Sequence, residues 1–319
     1  MTVTKEMHDK ELQAQYGQFR FLVSMNSRKW GLKIMNSLVR LTKGQKIKGV
    51  INETHNVSSN HTKGHKIRTR AFRPEGTAEE KLPAMIYFHG GGYMMGIPEM
   101  ANVFYEDILK RKKVAIFSPD YRVSQKDPFP AGFNDCFDVL LWMRDNAKEL
   151  KIDPNNIIIA GHSAGGGMAA AITLKVRDTG IIKPAFQMPI YPMLDHRMIT
   201  ASSKMQGSTM WDANINARAW RLYLRNIEGD VPPYASPALN EDYREFPPTI
   251  SFVGDLEPFY DENVSYIESL KKASVPVKFK VFKGGYHGFE VGSPKAKISI
   301  EANEFQLNAF EEFYDKYIQ

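Results

Sequence analysis

Ile157-Ile158-Ile159-Ala160-Gly161-His162-Ser163-Ala164-Gly165-Gly166-Gly167-Met168-Ala169-Ala170 carries the clearest fold signal in the chain. Its first four residues form an unbroken apolar run of buried-strand length, and a helical pattern opens after Ser163. Between them Gly161-His162-Ser163-Ala164-Gly165 fits a strand-to-helix turn around a serine. Such a turn has a strained, tightly packed backbone and needs small flanking residues. It lifts the hydroxyl above the sheet, at a helix N-terminus that favours developing negative charge. The glycines from Gly165 to Ala170 also fit the G-x-G-x-x-A form of a dinucleotide fingerprint, with Asp195 as its acid. That fingerprint should start at the strand end, with the acid about 20 residues on. Here Gly161–Ala164 intervenes and Asp195 lies 30 residues beyond Gly165, so a nicotinamide cofactor is not expected.

Outward from this turn the chain alternates. Lys66–Arg73, Ala84–Phe88, Val114–Ser118, Ala185–Ile190, Thr249–Val253 and Val277–Phe282 read as further strands, with helices over 100–112, 132–150, 164–178, 258–274 and 297–318. The pattern predicts one mostly parallel sheet with helices on both faces. Residues 8–45 read as helix, with Phe19, Val23, Trp30, Ile34, Leu38 and Leu41 at helical spacing and Arg28, Lys29, Lys33 and Arg40 between them. Residues 49–64 read as a polar loop. The alternation lapses between Asp195 and Pro237, where Met205–Asn226 looks helical and would sit as a lid beyond the strand ends.

Two more elements gather at the same sheet edge. His89-Gly90-Gly91-Gly92 ends a strand, and its glycines can turn backbone N–H groups toward a bound oxygen with no Cβ in the way. His287, in Gly284-Gly285-Tyr286-His287-Gly288-Phe289, follows the last strand and suits a general base for Ser163. A carboxylate is needed between them in chain order to hold the imidazole tautomer. The turn Gly254-Asp255-Leu256-Glu257-Pro258 offers Asp255 and Glu257, and spacing does not choose between them.

Composition narrows the class. Hydrophobic residues make up 43% and charged residues 24%, as in ordinary globular proteins rather than disordered ones. The one cysteine, Cys136, sits among Phe133, Phe137 and Leu140 and reads as a buried thiol; it cannot form an intramolecular disulfide. His55, His61 and His65 have no acidic cluster around them in sequence, and no metal site is expected. No apolar run reaches the roughly 18 residues of a membrane span. Met1–Lys10 does not read as a secretory leader, so a cytoplasmic location is expected. Residues 1–70 hold fourteen Lys/Arg against four Asp/Glu, net +10, which leaves −4 on the rest. A basic region of this kind meets an anionic membrane surface or acidic substrate, or is simply a solvated face. It carries no nucleic-acid-binding motif.

In order along the chain stand His89-Gly90-Gly91-Gly92, Asp120-Tyr121-Arg122, Pro128-Phe129-Pro130-Ala131, Gly161-His162-Ser163-Ala164-Gly165-Gly166, Tyr191-Pro192, Ser236-Pro237 and His287-Gly288-Phe289. With these the chain resembles the hormonesensitive-lipase-like branch of the α/β-hydrolases, from about Lys66 to the C-terminus. The resemblance implies the α/β-hydrolase fold, a mostly parallel eight-stranded sheet with a helical cap. Cap elements are expected at about 1–50 and 198–232, on a core of about 60–197 and 233–319. It further implies a serine carboxylesterase acting on short- to medium-chain esters without metal or cofactor, and a homodimer through a sheet edge. Ser163 becomes nucleophile and His287 base, with oxyanion donors from the backbones of Gly91, Gly92 and Ala164. In the family the catalytic acid immediately precedes a proline, which selects Glu257 over Asp255, although glutamate replaces the usual aspartate. Two other departures are His162, in place of an aspartate beside the nucleophile, and Ser124-Gln125-Lys126, in place of Ala-Pro-Glu. His287 must be neutral to act as base. The alternatives are an amidase or peptidase of the same fold and a non-catalytic binding homologue.

Overall fold

Among the described residues, eight strands form one sheet in the order β1-β2-β4-β3-β5-β6-β7-β8. They are β1 Val50–Ser58, β2 Lys66–Pro74, β3 Leu82–Phe88, β4 Ala115–Pro119, β5 Ile152–His162, β6 Phe186–Ile190, β7 Thr249–Gly254 and β8 Val277–Phe282. The β1–β2 and β2–β4 pairs are antiparallel, and every pair from β4 onward is parallel. The structure is a computed structural model that describes the backbone of residues 1–26 and 29–319 and the side chains outside 22–29.

Alternate residues of the central strands enter opposite layers. Ala84, Ile86, Phe88, Ile157 and Ile159 pack against α4 (Ala131–Asp145) and α5 (Ala164–Thr179). Met85, Tyr87, Ile158 and Ala160 pack against α3 (Asn102–Arg111) and α8 (Lys297–Tyr317). With both faces covered, a polar residue has no place on either, which is why these strands read as continuous apolar runs. Each fully buried Ile or Phe contributes about 1.5–3 kcal/mol relative to exposure. The helix α7 (Tyr260–Lys272) lies beside α5 through Ile267, Leu270, Ala170 and Leu174.

Three sequence expectations are corrected. Residues 50–58, expected as loop, form β1; only Val57 of that strand is buried, so it shows no apolar alternation, and its pairing with β2 supplies the order. The single helix expected over 8–45 is, among the described residues, α1 (Tyr16–Asn26) and α2 (Lys29–Arg40), preceded by short 3-10 turns. Residues 27 and 28 and the side chains of Val23, Arg28 and Lys29 lie outside the description. Of the helix expected over Met205–Asn226, only α6 (Ala213–Tyr223) forms. Asp212 starts it, accepting hydrogen bonds from the Asn214 and Ile215 N–H groups.

The irregular stretch 205–212 is tied to the N-terminal segment. Val3 N–H donates to Gln206 O at 2.8 Å, Gln206 N–H to Met1 O at 3.1 Å, and Arg20 meets Asp212 at 3.2 Å. His8 Nε2 is 3.1 Å from Thr209 Oγ1, and Asp9 N–H donates to Gly284 O at 3.1 Å. Among the described residues no helix is long and apolar enough to cross a membrane.

Candidate active site

Ser163 stands between β5 and α5 with φ 60° and ψ −123°, a conformation that side-chain-bearing residues rarely adopt. Such strain costs on the order of 1–3 kcal/mol and persists only where the surroundings enforce it. Here Ser163 N–H donates to Ile190 O at 3.0 Å, and Met193 N–H to Ser163 O at 3.1 Å. A Cβ on Gly161 would lie 2.2 Å from Gly165 O, and one on Gly165 would lie 2.0 Å from Phe88 O. The turn therefore closes only with glycine at both positions.

Ser163 Oγ lies 2.8 Å from His287 Nε2, and His287 Nδ1 lies 2.5 Å from Glu257 Oε2. A carboxylate can only accept, so Nδ1 carries the proton and Nε2 is left to accept from the serine hydroxyl. All three residues are buried, Glu257 completely. Gly254 N–H donates to the other Glu257 oxygen at 3.2 Å. The imidazole is boxed by Tyr191 at 5.0 Å, Phe259 at 4.9 Å and Trp211 at 6.2 Å between ring centres. Asp255 does not join this group: its carboxylate accepts from Gly284 N–H at 2.7 Å and fixes the turn that precedes the histidine.

The glycine turn after β3 abuts the serine. A Cβ on Gly90 would lie 3.5 Å from Ser163 Cβ and 3.2 Å from His162 O. Gly91 (φ 117°) and Gly92 (φ 60°) adopt backbone that favours glycine, and a Cβ on Gly91 would lie 2.0 Å from Met95 O. Among the described residues no protein acceptor takes the N–H of Gly91, Gly92 or Ala164. Tyr121 anchors the turn, stacked on His89 at 4.1 Å with its hydroxyl donating to His89 O at 2.7 Å. Gln125, one of the departures from the family pattern, donates to Met94 O at 3.0 Å and steadies the same loop. Arg122 is clamped by Asp135 through paired hydrogen bonds of 2.9 and 2.7 Å.

The sequence alone does not place several residues around this group. Trp211 lays its indole over Gly92, so that a Cβ there would meet the ring at 2.1 Å. Tyr191 donates to Glu290, whose carboxyl is wholly buried and pushed by that burial up to about 7. The other Glu290 oxygen has no hydrogen-bond partner among the described residues. Glu262 accepts from Leu194 N–H at 2.7 Å and Asp261 from Ser202 N–H at 2.7 Å, tying α7 to the chain leaving β6. Burial holds the Glu262 carboxyl well above its usual range. A signal for these two was present, since acids follow Glu257-Pro258; a lone Glu290 in a short helix gave none.

His162 is enclosed: Tyr87 OH donates to Nδ1 at 2.9 Å, and Nε2–H donates to Gln306 Oε1 at 3.1 Å. Burial pulls its pKa down to about 4, so it stands neutral behind the turn. The histidines 55, 61 and 65 do meet carboxylates, contrary to what their local sequence suggests. His61 lies 2.9 Å from Asp138 and His65 3.5 Å from Asp135, both on α4, and His55 lies 3.5 Å from Glu53. Among the described residues no group of three or more such side chains has metal-binding geometry. Cys136 is buried and its thiol pushed up by desolvation. A cleft of about 790 Å³, lined by Asn156, Thr173, Ile182, Phe246 and Tyr317, holds none of the residues grouped around Ser163.

Residues 85–291 match a family described as alpha/beta hydrolase fold. An AB hydrolase superfamily protein of Schizosaccharomyces pombe is 33% identical over 242 residues, 71% of this chain and 70% of that protein. An arylesterase of Saccharolobus solfataricus is 30% identical over 219 residues, 68% of this chain and 71% of that one. Among solved structures, a bacterial heroin esterase superposes with a TM-score of 0.87 at 28% identity, covering 98% of this chain and 99% of its own.

Proposed function

The chain belongs to the alpha/beta hydrolase fold family, and on that premise we propose that it is a serine carboxylesterase acting on short- to medium-chain carboxylic esters. The observation that carries this reading is the continuous relay from Ser163 Oγ through His287 to Glu257, with links of 2.8 and 2.5 Å. Relatives named as esterases support it.

In this mechanism His287 Nε2 takes the Ser163 proton as Oγ attacks the ester carbonyl. The imidazolium that forms is held by Glu257. The carbonyl oxygen becomes an oxyanion and takes hydrogen bonds from the N–H groups of Gly91, Gly92 and Ala164, each worth about 3 kcal/mol in a preorganised site. Collapse expels the alcohol, which receives the proton from His287. Water, deprotonated by His287, then attacks the acyl-serine, and the acid leaves with Oγ re-protonated. No metal or cofactor enters these steps. The same reading takes residues 1–50 and 198–232 as cap over a core of 60–197 and 233–319. It places the protein in the cytoplasm, as a homodimer through a sheet edge.

Hydrolysis of p-nitrophenyl esters from acetate to palmitate tests the activity, with the matching anilide as the amidase control. Turnover of the shorter esters is expected, with a loss of about four orders of magnitude or more in Ser163→Ala. Anilide turnover exceeding ester turnover, or a Ser163→Ala enzyme as fast as wild type, would overturn the reading.

A further inference from the structure

Trp30, Ile34 and Leu38 stand one turn apart on α2, and Leu41 follows in the turn beyond it. A stripe of this spacing normally faces a core. Here it faces water: the four residues are 50%, 44%, 53% and 80% exposed. The contact with the body of the protein is made instead by Leu32, which is 2% exposed. Gly44 N–H donates to Glu99 at 2.8 Å, tying the chain after the stripe to the segment that carries the exposed Met100 and Val103. An exposed apolar stripe of this kind marks an interaction site.

The charge around it identifies the partner. Residues 29–48 carry six Lys/Arg and no Asp/Glu, within a chain whose residues beyond 70 are net negative. Lys33, Arg40, Lys46 and Lys48 are exposed, and Lys43 meets Asp120 at 3.4 Å. A second copy docked face to face would set these cations against their own equivalents. A surface that is apolar beneath and anionic above suits both features, taking the apolar side chains below the headgroups and the cations at the phosphates. We infer that α2 and the turn after it dock this protein onto an anionic lipid surface. The N-terminal segment that carries α2 is hydrogen-bonded to the stretch 206–212 above Ser163. Docking therefore sets the cap at the phase into which apolar esters partition, a consequence that rests on the esterase reading, whereas the docking itself does not.

Co-sedimentation of the full chain with vesicles tests it, using phosphatidylcholine alone and phosphatidylcholine mixed with phosphatidylglycerol. Binding is expected to the anionic vesicles only, and to weaken as salt shortens the Debye length. Ile34→Glu/Leu38→Glu is expected to lower the partition coefficient by about tenfold or more, and Lys33→Glu/Arg40→Glu likewise. Both sets of residues are exposed, so hydrolysis of a water-soluble acetate ester and the circular dichroism spectrum should not change. No anionic-vesicle binding by wild type, or binding undiminished in both variants, overturns the inference. A lipid-free dimer in sedimentation velocity that Ile34→Glu/Leu38→Glu dissolves assigns the face to a second copy and also overturns it. Binding is read without turnover, so an inactive wild-type protein that still binds anionic vesicles would refute the esterase reading and leave this one standing.

Discussion

Glu257 and Asp255 are two residues apart on one turn, yet their hydrogen bonds give them different jobs. Glu257 faces His287, so Glu257→Gln should impose the wrong tautomer and lower kcat by roughly three to four orders of magnitude. Asp255 holds the Gly284 N–H, so Asp255→Asn should keep most activity and cost about 1–2 kcal/mol of stability. Steady-state kinetics and urea unfolding of the two variants separate these effects. A second pair behaves oppositely in pH. His162 has its pKa depressed from the usual 6.5 to about 4, so its stabilising contribution is full above pH 6.5 and is lost as pH falls toward 4. Glu290 has its pKa raised from the usual 4.5 to about 7, so its contribution is full below pH 4.5 and is lost as pH rises toward 7. Each loss is about 3 kcal/mol, and in wild type the two slopes oppose each other between these limits. Relative to wild type, urea midpoints should therefore change with a more positive slope from pH 4.5 to 6.5 in Glu290→Gln and a more negative slope in His162→Gln. Ser163, His287 and the glycines were legible in the sequence because each follows a strand end at one sheet edge. Asp255 and Glu257 were separated only by the family resemblance, because a two-residue offset on an irregular turn has no periodic signature. Glu290 was illegible because its meaning depends on Tyr191, distant in sequence.

At the scale of elements, strands buried on both faces announced themselves, whereas the exposed edge strand β1 did not. Its order comes from nine paired positions along β2 rather than from its own side chains. The stretch 205–212 misled in the other direction. Its Met and Trp residues mimic a helical stripe, but its order comes from the N-terminal segment hydrogen-bonded to it. Trp211 at its end packs on Gly92 and borders His287. Replacing it by alanine should open space over the site, raising the octanoate-to-acetate ratio of kcat/KM by about tenfold or more. An unchanged chain-length profile in Trp211→Ala would remove the indole from the substrate pocket.

Across the whole molecule, the alternation of strands and helices specifies a doubly covered sheet, and the family resemblance supplies the count of eight strands, but the strand order is read only from the structure. The asymmetry of charge was equally visible, but which face of α2 meets water was not, because helical periodicity finds a stripe without saying what lies opposite. The homodimer expected through a sheet edge is tested by sedimentation across a concentration series; a monomer throughout would remove it. A p-nitrophenyl alkylphosphonate, which traps an activated serine irreversibly, tests whether Ser163 is the nucleophile of an ester-cleaving relay. One p-nitrophenolate released per chain, loss of ester turnover in proportion, and the phosphonyl group on Ser163 by peptide mass spectrometry are expected. Full labelling at another residue, or ester turnover that survives complete labelling of Ser163, would contradict that role.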